Sequence, residues 1–566
     1  MGISVIARPL LQESLPNKGF LGIQACLPPS LGELKLSQPI HAAKSDNDHG
    51  DGHRTFRFTE LALWGLLALL LIVPFWAVRV HPLPDLSMHL AAASIWHNYS
   101  DPAFEFSRYY SLSMPAAPYW GYYTLTHLLA FPLGIDIANR VVLSLYALGL
   151  VGGAAALARC FGRDARLGLL AVPLVWNANL DVGFVPFLVG LVVALWALVA
   201  FDRFCWRPRL WLGLLTAALG ASVYFCHLLP WGFYFACAGL IGLLHTPRTV
   251  RSLGGRILVW LAGVVPGAAI TLTGAALNLS STVRSGARFQ VSRTAPADAI
   301  KLFYTFVFGP NPSLIEQAIV AVWVATCLLL LIRTFIASPL WRRKGIELRS
   351  EACLLVATTA YFVLPRSVIS PTYWWGIHIR YAMVVCLFLP LCITGSILGW
   401  RRVVLLVGTM VSGLGMTTLT LHHWRSAEVF AAGYHELAAK LPMAARALFV
   451  LGYPRHHEGA RQNYLQCYYA YHQALQGGYL PYTFDEGFPV KFRVRYPAPG
   501  WRAANFDWQR HARYYDYLFT FARPDVVVGH EKEVELLGQQ GRWQLWKLKG
   551  PREDKPPFPP YPPHLE

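Results

Sequence analysis

The stretch LALWGLLALLLIVPFWAV, residues 61–78, decides the fold class of this chain. It contains no charged side chain and is nearly long enough by itself to cross the hydrocarbon core of a bilayer as a helix, which takes about 20 residues. Similar apolar blocks recur as far as residue 421. The 566 residues are 55% hydrophobic and 14% charged, whereas soluble domains usually carry about 25% charged residues. The sequence therefore predicts a mainly α, polytopic helical membrane protein.

The apolar blocks predict about eleven membrane-spanning helices. Their approximate boundaries are 60–80, 138–158, 167–182, 184–202, 210–226, 230–245, 257–277, 314–333, 351–369, 380–399 and 403–421. Residues 119–134 are apolar but short, and they are rich in tyrosine, tryptophan and threonine. Aromatic residues prefer the membrane interface, so we expect this segment to form an interfacial helix in the first outer loop.

Lysine and arginine residues cluster in every second gap between the predicted spans. The clusters lie at 159–166, 203–209, 248–256, 333–349 and 401–402. Positively charged loops stay on the cytoplasmic side, so we expect the N-terminus inside, the C-terminal region outside, and a location in the cytoplasmic (inner) membrane. The net charge of +18 is spread over short loops, without the basic face of a nucleic-acid-binding protein. Nucleic acid is therefore excluded as a partner.

The composition divides the chain into four parts. Residues 1–57 are polar and read as a disordered cytoplasmic lead-in without a cleavable signal peptide. Residues 58–421 form the predicted transmembrane domain, 422–550 a small extracytoplasmic α/β domain, and 551–566 a proline-rich tail. The lead-in contains His41, His49 and His53, which we interpret as part of a solvated linker rather than as metal ligands.

Short patterns predict the elements of the C-terminal domain. Strands are expected at 445–453, 525–529 and 541–549, and helices at 460–477 and 531–540.

Asp85 is the strongest candidate for a catalytic residue. It follows Pro82 and Pro84, which favour the start of a helix. In such a helix His89 lies one turn later on the same face. The pair suits a carboxylate that accepts a proton and a histidine that tunes it. The alternative, an acidic residue that only stabilises the helix dipole, is equally consistent with this spacing.

Several arginines fall on the expected outer side, against the bias of the other loops. Arginine offers a planar fork that suits phosphate, although it also extends to lipid headgroups from such positions. For Arg380, which opens a span close to aromatic residues, we favour phosphate binding. The predicted substrate-binding residues are Trp120, Arg284, Arg288, Arg293, Tyr373, Trp374, His378, Arg380 and Tyr381.

Five short motifs resemble the GT-C superfamily of polytopic glycosyltransferases, of the dolichyl-phosphate-mannose and aminoarabinose transferase type, over roughly residues 60–400. They are HPLPDLSMH at 81–89, PYW at 118–120, Asp136 with NR at 139–140, RCFGR at 159–163, and RY at 380–381. The resemblance implies that Asp85 is the base, and that Arg380 with Tyr381 lies near the donor phosphate. Many members have paired acids at the first position, whereas Asp85 stands without an acidic neighbour.

The resemblance implies an integral-membrane enzyme that moves a sugar from a polyprenyl-phosphate donor to a lipid, glycan or protein acceptor. Aromatic side chains, among them Tyr122, would stack on sugar faces. The expected partners are the lipid-linked donor and membrane lipid, and no cofactor is expected. A divalent metal on Asp85 and His89 is not favoured, because no second strong carboxylate ligand is evident. The alternatives are a transporter or flippase of an anionic substrate, disfavoured by nearly uncharged spans, and a non-catalytic membrane assembly protein.

Overall fold

The computed structural model describes most of the chain beyond its N-terminal residues. The described ranges are 50–112, 118–245, 249–285, 290–310, 312–337, 343–370, 374–452, 465–482, 484, 489–499 and 503–554, without the side chains of 50–63, 274–285, 335, 337 and 466. The described residues from 62 onward form one compact unit, and residues 50–61 belong to a separate one. Most of the predicted lead-in lies outside the described residues, but its last residues, from Gly50, begin helix α1. The end of the proline-rich tail, 555–566, also lies outside them.

Helices dominate the described residues. They are α1 (Gly50–Ala77), α2 (Pro84–His97), α3 (Phe106–Tyr109), α4 (Trp120–Leu133), α5 (Ile135–Cys160), α6 (Ala178–Val182), α7 (Val185–Trp206), α8 (Leu210–Cys226), α9 (Leu228–Leu244), α10 (Val250–Ser285), α11 (Pro296–Phe308), α12 (Leu314–Ala337), α13 (Arg349–Val363), α14 (Arg380–Phe388), α15 (Trp400–Phe430), α16 (Tyr434–Ala438), α17 (Gln466–Gln476) and α18 (Trp508–His511).

The chain is a multi-pass membrane protein. Among the described residues, five helices are long and apolar enough to cross a bilayer, namely Ile135–Cys160, Val185–Trp206, Val250–Thr273, Leu314–Thr334 and Trp400–Phe430. Shorter apolar helices occupy Trp64–Ala77, Leu210–Cys226, Leu228–Leu244 and Arg380–Cys392. Most predicted spans coincide with helices, but three do not. The span predicted at 351–369 is a helix only as far as Val363 and continues into strand Ser367–Ser370, the one at 380–399 is helical only at Arg380–Phe388 and in the 3₁₀ turn Pro390–Cys392, and 167–182 is not a spanning helix. The predicted interfacial segment forms α4.

Residues 167–182 do not form the predicted spanning helix. They fold as two 3₁₀ helices, Ala165–Ala171 and Pro173–Val175, followed by the short α6. Pro173 cannot continue a helical hydrogen-bond ladder, and the Asn177 side chain accepts hydrogen bonds from the first N–H groups of α6. The segment is almost entirely buried. Its apolar composition therefore serves the protein core rather than a lipid-facing helix.

Three small sheets are found among the described residues. Strands β1 (Tyr110–Leu112) and β6 (Val490–Phe492) pair antiparallel, and β2 (Gln290–Ser292), β3 (Ser367–Ser370) and β4 (Trp374–Trp375) form a second sheet. The third has the order β5 (Ala447–Leu451), β7 (Tyr517–Phe521), β9 (Trp543–Leu548), β8 (Val534–Gln540). Only β5 and β7 are parallel within it.

The C-terminal sheet confirms the mixed α/β character predicted for this region. Strands β5 and β9 and helix α17 lie where the sequence predicts them. The helix expected at 531–540 is wrong, because these residues pair along β9 as strand β8. The strand expected at 525–529 is also wrong, because Pro524 opens a 3₁₀ helix, Pro524–Val527.

The C-terminal region packs directly on the first loop of the membrane region. Helix α17 lies along α2, where the Ser94 hydroxyl donates to the Ala474 carbonyl oxygen at 2.6 Å. The Tyr471 hydroxyl donates to the Asp136 carboxylate at the start of α5. Strand β6 adds to β1, which precedes α4. These contacts place the C-terminal region against α2, the helix that carries Asp85.

Arg140 ties α5 to the end of α1. Its guanidinium donates to the carbonyl oxygens of Phe75, Val78 and Arg79 at 2.8–3.0 Å, and its Nε donates to Asp136 at 2.9 Å. The last carbonyl groups of a helix have no partner within the helix. Arg140 supplies the missing donors, so the NR motif at 139–140 has a structural role in this protein.

Candidate active site

Asp85 lies in the first turn of α2. Pro84 occupies the first helical position and fixes the backbone angle that a helix needs there. The Asp85 side chain is partly exposed, and its carboxylate makes no hydrogen bond or ion pair with any described residue. A carboxylate without a structural partner at a helix start is available for chemistry.

Gly183 sets the position of this helix start. It ends α6 with φ of +97°, which L side chains rarely adopt. A Cβ atom here would lie 2.4 Å from the backbone nitrogen of Leu86 and 3.0 Å from that of Asp85. Only glycine lets the two backbones approach so closely, so the break after α6 positions Asp85.

Arg380 opens α14 and is almost fully buried, with 5% of its surface exposed. Its Cζ lies 3.7 Å from the centroid of the Phe184 ring, an arrangement that stabilises a buried cation. Its Nη2 donates to the Trp375 carbonyl oxygen at 3.3 Å. Its Nε has no hydrogen-bond partner among the described residues. A buried guanidinium with an unused donor can take an anionic group.

His227 lies in direct contact with the Arg380 guanidinium. Its Nε2 lies 2.7 Å from Nη1 of Arg380, and its Nδ1 accepts the backbone N–H of Leu229 at 3.0 Å. The second interaction caps α9. The ring is 1% exposed. Its contact with Arg380 joins residues 153 positions apart, which no local pattern in the sequence reveals.

Asp85 and Arg380 belong to one electrostatic site. Burial raises the pKa of the Asp85 carboxyl to about 7, and the positive charge of Arg380 opposes this rise. A carboxylate that titrates near neutral pH matches the requirement for a general base. The lone acid after the first span and the arginine at the start of a late one therefore lie close enough for the charge of Arg380 to act on Asp85, and their shared role in catalysis stays a prediction.

His89 lies one turn after Asp85, as its spacing predicts. Its Nδ1 is 2.6 Å from the Tyr123 hydroxyl, and the ring contacts Phe484. Burial, assisted by the charge of Arg380, lowers the pKa of His89 to about 3. The imidazole is therefore neutral at physiological pH, so it can orient groups by hydrogen bonding but adds no positive charge to the site.

Helix α17 lies next to the first turns of α2, close to Asp85. The buried Cys467 thiol interacts with Ser87, and the nearby Asp85 carboxylate contributes to the rise in its pKa. Burial is the main cause of that rise, so the thiol stays protonated. The C-terminal region therefore contacts the residues that carry the candidate site, and it limits the volume beside them.

Other predicted site residues lie in separate surroundings. The Tyr381 hydroxyl donates to the Leu229 carbonyl oxygen at 2.8 Å within the helical core. Nε2 of His378 lies 2.8 Å from the Thr294 hydroxyl, and the His378 ring packs on Tyr361. Both residues are near Arg380 in sequence, but their observed partners are Thr294, Tyr361 and Leu229 rather than Asp85.

The remaining predicted residues lie partly inside and partly outside the described ranges. The ring of Trp120 packs edge-on against Trp96 at 5.5 Å, while the ring of Trp374 lies 6.0 Å from that of His227. Arg293 is exposed just after β2. The side chain of Arg284 and the residues Arg288 and Tyr373 lie outside the described residues. Trp374 is thus the predicted aromatic residue that the structure brings next to the Arg380 site.

The described residues contain no candidate metal site. Across the described part of the chain there is no group of three or more His, Cys, Asp or Glu side chains that could hold a metal ion. His41 and His49 lie outside the described residues, as does the side chain of His53.

Comparisons with known proteins give a similarity of fold. No family model matches the chain, and no curated protein matches it. The chain is similar to ArnT from Cupriavidus metallidurans in the apo state, with 12% identity, a TM-score of 0.47, and coverage of 87% of this chain and 98% of that one. It is also similar to the same protein bound to undecaprenyl phosphate, with 12% identity, a TM-score of 0.49, and coverage of 86% and 98%.

Proposed function

We propose that this protein is an integral-membrane glycosyltransferase that moves a sugar from a polyprenyl-phosphate donor to an acceptor hydroxyl. One observation carries the proposal: the Asp85 carboxyl, with a pKa near neutral, lies within the field of Arg380, a buried guanidinium with an unused Nε donor. A base and an anion site side by side are what this transfer requires. The acceptor is a lipid, glycan or protein.

Asp85 acts as the general base. Its carboxylate takes the proton of the acceptor hydroxyl as that oxygen bonds to the anomeric carbon of the sugar. General-base assistance of this kind typically contributes about 10²–10⁴ in rate. The absence of other side-chain partners for Asp85 among the described residues supports this role, because a carboxylate held in a structural ion pair is a poor base.

Arg380 stabilises the leaving group. As the new bond forms, the bond from the anomeric carbon to the phosphate oxygen breaks, and the polyprenyl phosphate leaves with the bonding electrons. The guanidinium, with Trp374 beside it, receives that charge in surroundings of low polarity, where a charge-assisted hydrogen bond is strong. Arg293 and the arginines at 284 and 288 are proposed as further contacts to the donor.

We further propose that the site faces the extracytoplasmic side of the cytoplasmic membrane. The support is the alternation of basic loops, which puts the N-terminus inside and the C-terminal region outside. The packing of α17 on α2 supports a position of the C-terminal domain beside the site, where it would contact the acceptor.

The test is the release of free polyprenyl phosphate from a panel of lipid-linked sugars by the purified protein. A transferase releases it when an acceptor is present, and Asp85→Asn removes the release. A flippase moves the lipid across proteoliposomes with its sugar still attached. Transbilayer movement without release, at equal rates in both proteins, would reject the proposal in favour of transport.

A further inference from the structure

A polar cavity lies at the far ends of two helices that start at the candidate site. Helix α7 begins just after Phe184, which stacks on Arg380, and α9 begins just after His227. With 22 and 17 residues, they rise about 33 and 26 Å before they end. At their ends is a cavity of about 320 Å³. It is therefore separated from the Asp85 site by roughly the thickness of a hydrocarbon core.

The cavity wall is rich in cationic and aromatic side chains. Its lining includes Cys205, Trp206, His245, Arg256 and Lys344. Arg256, which is 6% exposed, donates to the carbonyl oxygens of His245 at 2.9 Å and Cys205 at 3.3 Å, so it joins the ends of α7 and α9. The exposed Lys344 ammonium makes no hydrogen bond or ion pair with any described residue. The cavity thus has one fixed and one available cation.

The acidic residue behind the cavity does not cancel this charge. Asp202 is 1% exposed, and its Oδ1 accepts from both Arg349 and Nε2 of His245. Arg349 already balances the Asp202 carboxylate. Arg256 and Lys344 remain in excess, so the cavity attracts an anion.

Exposed apolar side chains lie close in sequence to the residues that line the cavity. Leu210 and Leu243 are each 80% exposed, and Trp211 is 59% exposed. They lie at the start of α8 and the end of α9. In a multi-pass membrane protein such side chains face lipid. Trp206, 47% exposed on the cavity wall, suits the interface between acyl chains and headgroups.

We propose that this cavity binds the headgroup phosphate of an anionic phospholipid, in the leaflet opposite the Asp85 site. The positive charge of Arg256 attracts the lipid phosphate, and the Lys344 ammonium binds it directly. The acyl chains of the lipid lie along Leu243 and Leu210. Basic pockets between transmembrane helices recognise headgroups in this way. Free inorganic phosphate carries the same kind of negative charge, but it has no acyl chains to contact the apolar side chains near the cavity.

The test is a titration of the purified full-length protein, in a neutral detergent, with phosphatidylglycerol, with native mass spectrometry to count bound lipids. Lys344→Gln is expected to weaken binding about fivefold, because one cation near a membrane surface is worth about 1 kcal/mol. Lys532→Gln, at an exposed position in the C-terminal region, is the matched control and leaves binding unchanged. Equal affinity in wild type and Lys344→Gln would overturn the proposal.

Two further arms separate the sources of the phosphate and the two sites. Phosphatidylcholine at the same concentration is expected to bind more weakly, and inorganic phosphate is expected not to displace phosphatidylglycerol. Displacement by an equal concentration of inorganic phosphate would assign the cavity to a soluble anion and overturn the lipid proposal. Arg380→Gln is expected to leave the Lys344-dependent binding intact, so this proposal stands or falls separately from the proposed transferase activity.

Discussion

Arg380 and His227 meet at 2.7 Å through Nη1 and Nε2, while the other ring nitrogen of His227 accepts the backbone N–H of Leu229. A neutral imidazole has one nitrogen with a free lone pair and one N–H group. It cannot accept from Leu229 and from Arg380 at once. With Nδ1 as the acceptor, Nε2–H and the guanidinium present donors to the same space. An anion beside this pair could accept from both donors, and this is the electrostatic argument for the proposed phosphate.

The first prediction concerns Arg380→Lys. Lysine keeps the charge but lacks the fork that reaches His227 and Trp375, and it loses the stacking on Phe184. Charged hydrogen bonds contribute about 1.5–3 kcal/mol, so affinity for a polyprenyl phosphate should fall at least tenfold in a binding titration. The exposed Arg209→Lys is the control. A tenfold loss in the control as well, or none in either, would argue against a phosphate at Arg380.

The second prediction is a pH profile. Because the pKa of Asp85 is raised to about 7, the base is mostly protonated below that pH. We expect kcat/KM to rise about tenfold per pH unit up to pH 7 and then level off. Arg380 favours the charged carboxylate, so Arg380→Gln should move the inflection to higher pH. A flat profile from pH 5 to 8 in the wild type is inconsistent with Asp85 as the base.

The third prediction concerns Gly183→Ala. A Cβ atom would meet the backbone of Leu86 at 2.4 Å, at a φ that disfavours alanine. The strain should cost about 1–3 kcal/mol of folding free energy and displace Asp85, so activity should fall further than stability alone explains. Gly232→Ala, with open space around its Cβ, is the matched control. Thermal unfolding and turnover are measured on both, and unchanged turnover in Gly183→Ala would show that this contact does not position Asp85.

The fourth prediction concerns Arg140→Gln. The change removes donors from the carbonyl oxygens at the end of α1 and leaves Asp136 without its arginine partner. Loss of one partner from a largely buried pair costs about 3 kcal/mol. The midpoint of thermal unfolding in detergent should drop accordingly, whereas the exposed Arg209→Gln should not change it. Equal stability of the two variants would refute a capping role for Arg140.

The sequence predicts the fold wherever one local signal dominates. Long apolar runs such as 185–206 give the helices, and alternation gives β9. The sequence prediction fails at 167–182, because apolar composition indicates burial but does not distinguish contact with lipid from contact with other parts of the protein. It also fails at β8, where pairing along β9 overrides the helical spacing. These elements are decided by tertiary contacts that no window of sequence contains.

Part of the candidate site was predictable, because two of its residues stand out locally in the sequence. Asp85 is a scarce acid after a proline-rich turn, and Arg380 is an arginine at a span start, so both stand out by composition. The roles of His227, Phe184 and Gly183 depend on contacts between distant segments. Spacing alone gives no sign that these residues converge on one site.

The most direct test of the central claim separates binding from turnover in Asp85→Asn. The variant keeps the size of the side chain and breaks no hydrogen bond or ion pair with the described residues, so it should fold and bind a polyprenyl-phosphate-linked sugar as the wild type does. We expect release of polyprenyl phosphate to fall by about 10²–10⁴ while donor affinity stays within a factor of about three. Release at the wild-type rate by Asp85→Asn would contradict the account.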